Sequence, residues 1–266
     1  MKLELFNRIV HDYYQLEATH GKNQSKLIID SLVDRYKLSY LVIYSICAFE
    51  HRNGMKQTTA KPPFRLNWPT ILSKWDSGNS LQEVADMYKL DASVVLRQLV
   101  LRLTNHNREE MKSLFRDSTN CADGRLAFEI ELSHQRDLMN GIFNTQVNHV
   151  NGLHFEAVIR SKLAQQSISY RSEEELRQNR YDVTPDFLLK LGRYVINWME
   201  CKAMFASIQC HAEYYESQFF AYRNRFGSGL VFYSLGFVDE IPKELLGGIT
   251  LAQQMPPFCP LKLPAS

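Results

Sequence analysis

Apolar residues recur at three- and four-residue steps through SKLIIDSLVDRYKLSYLVIYSICAFE (25–50) and SLQEVADMYKLDASVVLRQLVLRL (80–103), a spacing that predicts amphipathic helices. A shift of 52 residues aligns Asp34, Tyr36, Lys37, Leu38 and Val42 with Asp86, Tyr88, Lys89, Leu90 and Val94. Each copy reads as a helix, a short turn and a second helix begun at a polar N-cap, Ser39 or Asp91. This is the layout of a helix-turn-helix, which serves either nucleic-acid contact or plain packing and partner binding. Between the copies, RNGMKQTTAKPPFRLNWP (52–69) is basic and turn-rich, and reads as a surface loop able to follow a phosphate backbone.

FRDSTNCADG (115–124) interrupts the helical period and sets the expected boundary between domains at residues 1–118 and 119–266. Helical spacing resumes to about residue 166, after which the pattern changes. A short strand (167–170) and a charged helix or loop (171–180) precede YDVTPDFLLKLGRYVINWMECKA (181–203). That stretch reads as two apolar strands around a Gly192-Arg193 turn. A helical segment at about 208–225, a buried strand in GLVFYSLGFV (229–238) and an irregular Pro-rich tail complete an α/β order.

Three charges interrupt the apolar runs of the hairpin: Asp186, Glu200 and Lys202. Buried charge is costly unless it is paired or bound to a metal. Residues two apart in a strand share a face, so Glu200 and Lys202 point together, and the hairpin brings the Asp186 end beside them. One reading is a buried salt bridge. The other is a two-carboxylate site for Mg²⁺, which keeps waters and accepts phosphate oxygens. In the second reading Lys202 orients or deprotonates the attacking water, or neutralises charge developing on phosphorus. Pro185 restricts the backbone where it enters the site.

Composition narrows the class without naming it. A 45% hydrophobic and 23% charged chain is that of an ordinary globular protein, and a net charge of +2 does not by itself call for nucleic acid. The charge is uneven, with 17 Lys/Arg against 13 Asp/Glu in residues 1–118 and 14 against 16 beyond. Five scattered cysteines argue against a disulfide framework and for a reducing compartment, nuclear or cytosolic. The start of the chain has no apolar signal segment, and no run of 18 apolar residues predicts a membrane span. Cys201, Cys210 and His211 lack a zinc-site spacing. Arg223 and Arg225 suit a helix C-terminus or a phosphate. Tyr214, Tyr215, Phe219, Phe220 and Phe226 read as core before base-stacking platform. Neither a P-loop, a G-x-G-x-x-G nor a G-x-S-x-G element is present.

YDVTPDFLL, INWMECKA and QFFAYRNRFGSGLVFYSLGF together resemble the TPD-motif family of PD-(D/E)XK nuclease-like proteins. The resemblance implies a restriction-endonuclease-like core with a mixed sheet flanked by helices, behind an all-α helix-turn-helix domain. It implies Mg²⁺- or Mn²⁺-dependent phosphodiester cleavage of DNA, a complex with codanin, and a nuclear, partly cytoplasmic location linked to red-cell development. Carried over by motif, Asp186 matches the TPD acid, and Glu200 and Lys202 match E-x-K. Glu156 in GLHFEAVIRSKL matches the acid of the first core helix, a further metal ligand or water acceptor. Gln218 in HAEYYESQFFAYRNRF shares a helix face with Tyr222 and is placed to touch water or phosphate. Two departures stand out: Cys201 replaces an expected serine, and Gly152-Leu153 replaces an expected Gly-His pair, which leaves His154 incidental. A silent nuclease-fold scaffold acting through its partner, and a helix-turn-helix regulator, are the other readings.

Overall fold

The helical spacing of the front half becomes eight helices among the described residues of the computed structural model, which describes all but 22–23, 61–67, 89, 106, 137–138, 140–141, 190–194 and 257–266. They are α1 (Leu3–His20), α2 (Ser25–Tyr36), α3 (Tyr40–Ala60), α4 (Trp68–Asp76), α5 (Leu81–Met87), α6 (Ala92–Leu103), α7 (Arg108–Arg116) and α8 (Gly124–Arg136). Backbone packing divides the chain into two compact units, Ile9–Val147 and Met1–Arg8 with the chain from Asn148 onward. No helix among the described residues is long and apolar enough to cross a membrane.

Within the first unit both expected helix pairs form. Lys37 ends α2 in the left-handed conformation (φ +53°) and its N–H donates to the Val33 carbonyl, so the chain turns at once into α3. The second pair opens with a capping box: Ser80 accepts from the Glu83 N–H, and the Glu83 carboxylate accepts from the Ser80 N–H. Val84 and Ala85 of α5 pack with Leu96, Leu99 and Val100 of α6 over Trp68, Ile71 and Trp75 of α4. The loop expected at 52–69 is corrected. Helix α3 runs through Gly54 to Ala60, and α4 starts at Trp68; residues 61–67 lie outside those described. His51 and Met55, one helical turn apart, are both buried, and that packing outweighs the helix penalty of Gly54.

The second unit is built on a five-stranded mixed sheet flanked by helices. Its strands are β1 (Tyr170–Ser172), β2 (Phe187–Leu189), β3 (Trp198–Lys202), β4 (Gly229–Tyr233) and β5 (Ile249–Ala252), adjacent in that order. The pairs β1–β2 and β2–β3 are antiparallel, and β3–β4 and β4–β5 are parallel. The expected hairpin is thus β2–β3, with its Gly192-Arg193 turn outside the described residues. Helix α9 (Ile142–Gln165) covers one sheet face, its Ile159 and Leu163 packing with Phe187, Leu189, Met199 and Phe232. On the other face Leu188, Trp198 and Val231 meet Phe219, Tyr222 and Phe226 of the segment after β3. That segment is α11 (Ile208–Tyr214), a π-helical turn (Tyr215–Phe219) and α12 (Phe220–Phe226).

Three local expectations shift. The strand expected at 167–170 is β1 at 170–172, and Ser172 then caps α10 (Glu173–Gln178) in a second capping box with Glu175. The buried run 229–238 is strand only as far as Tyr233, where Gly236 (φ +88°) donates back to the Tyr233 carbonyl and turns the chain. A short helix α13 (Lys243–Leu246) and β5 extend the sheet beyond the expected elements.

Candidate functional site

Strand register builds the site. Phe187 pairs with Met199 and Leu188 with Trp198, so one further step sets Asp186 opposite Glu200. There the side chains take over from the backbone ladder. The Cys201 N–H donates to Asp186 Oδ2 at 2.7 Å, and the Asp186 N–H donates to Glu200 Oε2 at 3.3 Å. Each carboxylate is therefore fixed by the opposite strand, next to a buried Pro185 that limits the approach of the chain.

The pleat sorts the side chains as the spacing predicts. Glu200 and Lys202 project with Trp198, while Cys201 joins the α9-facing cluster. Lys202 Nζ donates to Glu200 Oε1 at 2.8 Å and to Gln218 Oε1 at 2.9 Å. It also lies 4.5 Å from the centre of the Tyr214 ring and 5.8 Å from that of Phe219. Gln218 and Phe219 belong to the π turn, and Tyr214 is the last residue of α11 before it. Tyr222, on the same helical face as Gln218, donates to the Thr184 carbonyl at 3.4 Å and sets its ring edge-on to Trp198.

Charge in this cluster does not balance. Burial raises the Asp186 carboxyl above its ordinary range, and the Glu200 charge raises it further. Burial also raises Glu200, against the pull of Lys202. Burial works to lower Lys202, but the charge and hydrogen bond of Glu200 outweigh it and the ammonium is favoured. One lysine thus serves two acids. Glu156 approaches from α9, half-buried; burial and then the Glu173 charge raise it, while its own charge acts on Asp186. His154 on the same helix is exposed.

Among the described residues no group of three or more His, Cys, Asp or Glu side chains is arranged to hold a metal ion. Asp186 and Glu200 nevertheless suit Mg²⁺, which takes one or two carboxylates and completes its shell with water and phosphate oxygens. A divalent cation would also favour the charged forms of the two carboxyls that burial raises. The Cys201, Cys210 and His211 set does not converge. Cys201 faces α9, whereas His211 is held by the Tyr233 hydroxyl (2.9 Å) and the Leu245 carbonyl (3.0 Å). Tyr214 packs with the core, as the sequence reading expects, but also faces Lys202, a role the sequence does not assign it; Glu173, whose charge reaches Glu156 and Glu200, carries no sequence motif. Tyr214 lies one helical turn before Gln218, which was the available signal.

The family model described as "Protein of unknown function TPD sequence-motif" matches residues 122–255. The chain is 28% identical over 235 residues to the CDAN1-interacting nuclease 1 of Mus musculus, covering 82% of this chain and 84% of that one. The Homo sapiens protein of that name matches with the same identity and coverage. The Xenopus tropicalis protein is 32% identical over 186 residues, 66% of this chain and 61% of its own length. No solved structure matches the chain.

Proposed function

The chain belongs to the TPD sequence-motif family, and we propose that it is a metal-dependent nuclease that cleaves phosphodiester bonds in DNA. The observation that carries the reading is the convergence of Asp186, Glu200 and Lys202 on one face of β2–β3, two acids beside a single lysine. The name of the relatives, a nuclease that interacts with CDAN1, supports both the activity and codanin as the partner. The same reading takes the second unit as a restriction-endonuclease-like fold and the helical repeats as a surface for DNA or partner. It places the protein in the nucleus and the cytoplasm, with a role in red-cell development.

In this reading Asp186 and Glu200, with Glu156 in support, hold Mg²⁺ or Mn²⁺. Such an ion lowers the pKa of bound water and offsets charge on the scissile phosphate. The protein's own part is positional. The two cross-strand bonds hold the Asp186 and Glu200 carboxylates in place before substrate arrives. Lys202 directs positive charge to the phosphate, and Gln218 holds its Nζ. Glu156 is a further carboxylate able to accept a proton from water.

The test is a Mg²⁺ and Mn²⁺ titration with branched, single-stranded and duplex DNA. Wild type cleaves at least one of them, and Asp186→Asn and Lys202→Ala lower the rate by at least about a hundredfold. A wild type that cuts none of them with either metal, or variants that cut equally well, would leave a scaffold acting through its partner.

A further inference from the structure

We propose that Tyr214 is a positioning residue for Lys202: its ring face, together with the Gln218 amide, holds the ammonium where it meets an incoming phosphate oxygen. The nature of that oxygen rests on the nuclease reading; the cradle itself does not. A lysine ends in a point charge on a flexible four-carbon stem, so a lysine that must act at one place has to be held there. Four groups surround Nζ: Glu200 Oε1 at 2.8 Å, Gln218 Oε1 at 2.9 Å, and the rings of Tyr214 and Phe219. All four attract a cation, and none donates to an amine lone pair. Among the described residues Nζ thus has two hydrogen-bond acceptors for its three donors, which leaves one for an anionic oxygen.

The helix is built to supply this cradle. Three of the four groups come from Tyr214, just before the π turn, and from Gln218 and Phe219 within it. Hydrogen bonds in such a turn reach five residues back, so the coil widens and spreads its side chains differently from an α-helix. Trp198 lies beneath, 6.2 Å from the Phe219 ring, and fixes the turn against the sheet. Tyr214 also stacks on Phe219, 6.0 Å between centres, so the two rings form one wall beside the ammonium.

The test grades the ring without changing its shape. Tyr214→Phe is compared with phenylalanines of increasing fluorination at position 214, which weaken the attraction of the ring face for a cation. The first readout needs no activity: acetylation of Lys202 by N-hydroxysuccinimide acetate, read by mass spectrometry against the exposed Lys112. Tyr214→Phe is expected within about twofold of wild type, and the most fluorinated ring about tenfold faster. The second readout is Mg²⁺-dependent cleavage of the three DNA forms, where kcat falls in the same order while KM stays within about twofold. A labelling series that is flat, or a graded one with constant kcat, overturns the proposal. Graded labelling with no cleavage by any of the proteins keeps the cradle and removes the nuclease reading instead.

Discussion

Gly229 sits in register beside Trp198, and a Cβ on Gly229 would fall 2.0 Å from the indole ring. The indole is fully buried, donates from Nε1 to the Gly227 carbonyl at 2.9 Å and packs against Phe219 and Tyr222. It therefore locks the sheet to the helix that carries Gln218. Because the ring has no room to withdraw, Gly229→Ala is expected to destabilise by about 1–3 kcal/mol. Urea unfolding followed by tryptophan fluorescence checks this, and an unchanged midpoint would show that the ring shifts freely.

In the helical unit His51 is buried between two acids. Its Nε2 meets Asp91 Oδ2 at 2.5 Å, and its Nδ1 meets Glu17 Oε1 at 3.3 Å and the Tyr13 hydroxyl at 3.0 Å. Burial alone would lower its pKa, but the hydrogen bonds and charges of Asp91 and Glu17 raise it from 6.5 to about 9. A raised histidine pKa contributes stability that is complete below its unfolded value and is lost as pH rises through the folded one. The stability gap between wild type and His51→Gln is expected to be on the order of 2–3 kcal/mol near pH 6, shrinking as pH rises through about 9. Urea unfolding of both proteins across that range measures it, and a gap independent of pH would count against a charged His51.

Local pattern carried much of this fold, because helical and strand periods are properties of short stretches. The paired helices, the β2–β3 hairpin and the buried β4 follow from it, as does the placement of Glu200 and Lys202 on one face with Cys201 on the other. Features set by distant contacts were not legible. Asp91 reads as an N-cap, yet its side chain makes no capping bond; its carboxylate is taken by His51, 40 residues away. The continuation of α3 past Gly54 depends on burial of His51 and Met55. Strand β5 has four residues and little alternation, so only its pairing with β4 defines it. A π turn differs from an α-helix in hydrogen-bond reach rather than composition, which hid the approach of Tyr214 to Lys202.

The unequal charges of the site give a metal prediction that does not depend on turnover. Asp186 is raised by burial and then by Glu200, so keeping an acid there costs the metal-free protein stability above the ordinary carboxylate range. Asp186→Asn removes that cost and keeps an oxygen to accept from the Cys201 N–H. In EDTA the variant is expected to melt higher than wild type. Added Mg²⁺ raises the wild-type Tm, as any ligand of the folded state does, and leaves the variant unmoved. A thermal-shift titration decides it: equal Mg²⁺ shifts in both proteins would mean that the ion binds elsewhere.

Glu200 and Lys202 form a buried pair, with side chains only 7% and 13% exposed. An exposed pair is worth roughly 0–1 kcal/mol, whereas removing one partner of a buried pair leaves a desolvated charge and costs about 3–5 kcal/mol. Lys202→Met should be the more damaging single change, since it leaves two acids facing each other with no cation. Glu200→Gln keeps a carbonyl oxygen for Nζ and leaves Asp186 as a nearby counter-charge, so its loss is expected to be smaller. Removing both charges relieves the desolvation that either single change leaves behind. The double variant is therefore expected to be more stable than Lys202→Met alone, with a coupling of about 2 kcal/mol in the double-mutant cycle. Urea midpoints of the four proteins in EDTA give that coupling directly, and a value near zero would mean that water screens the pair.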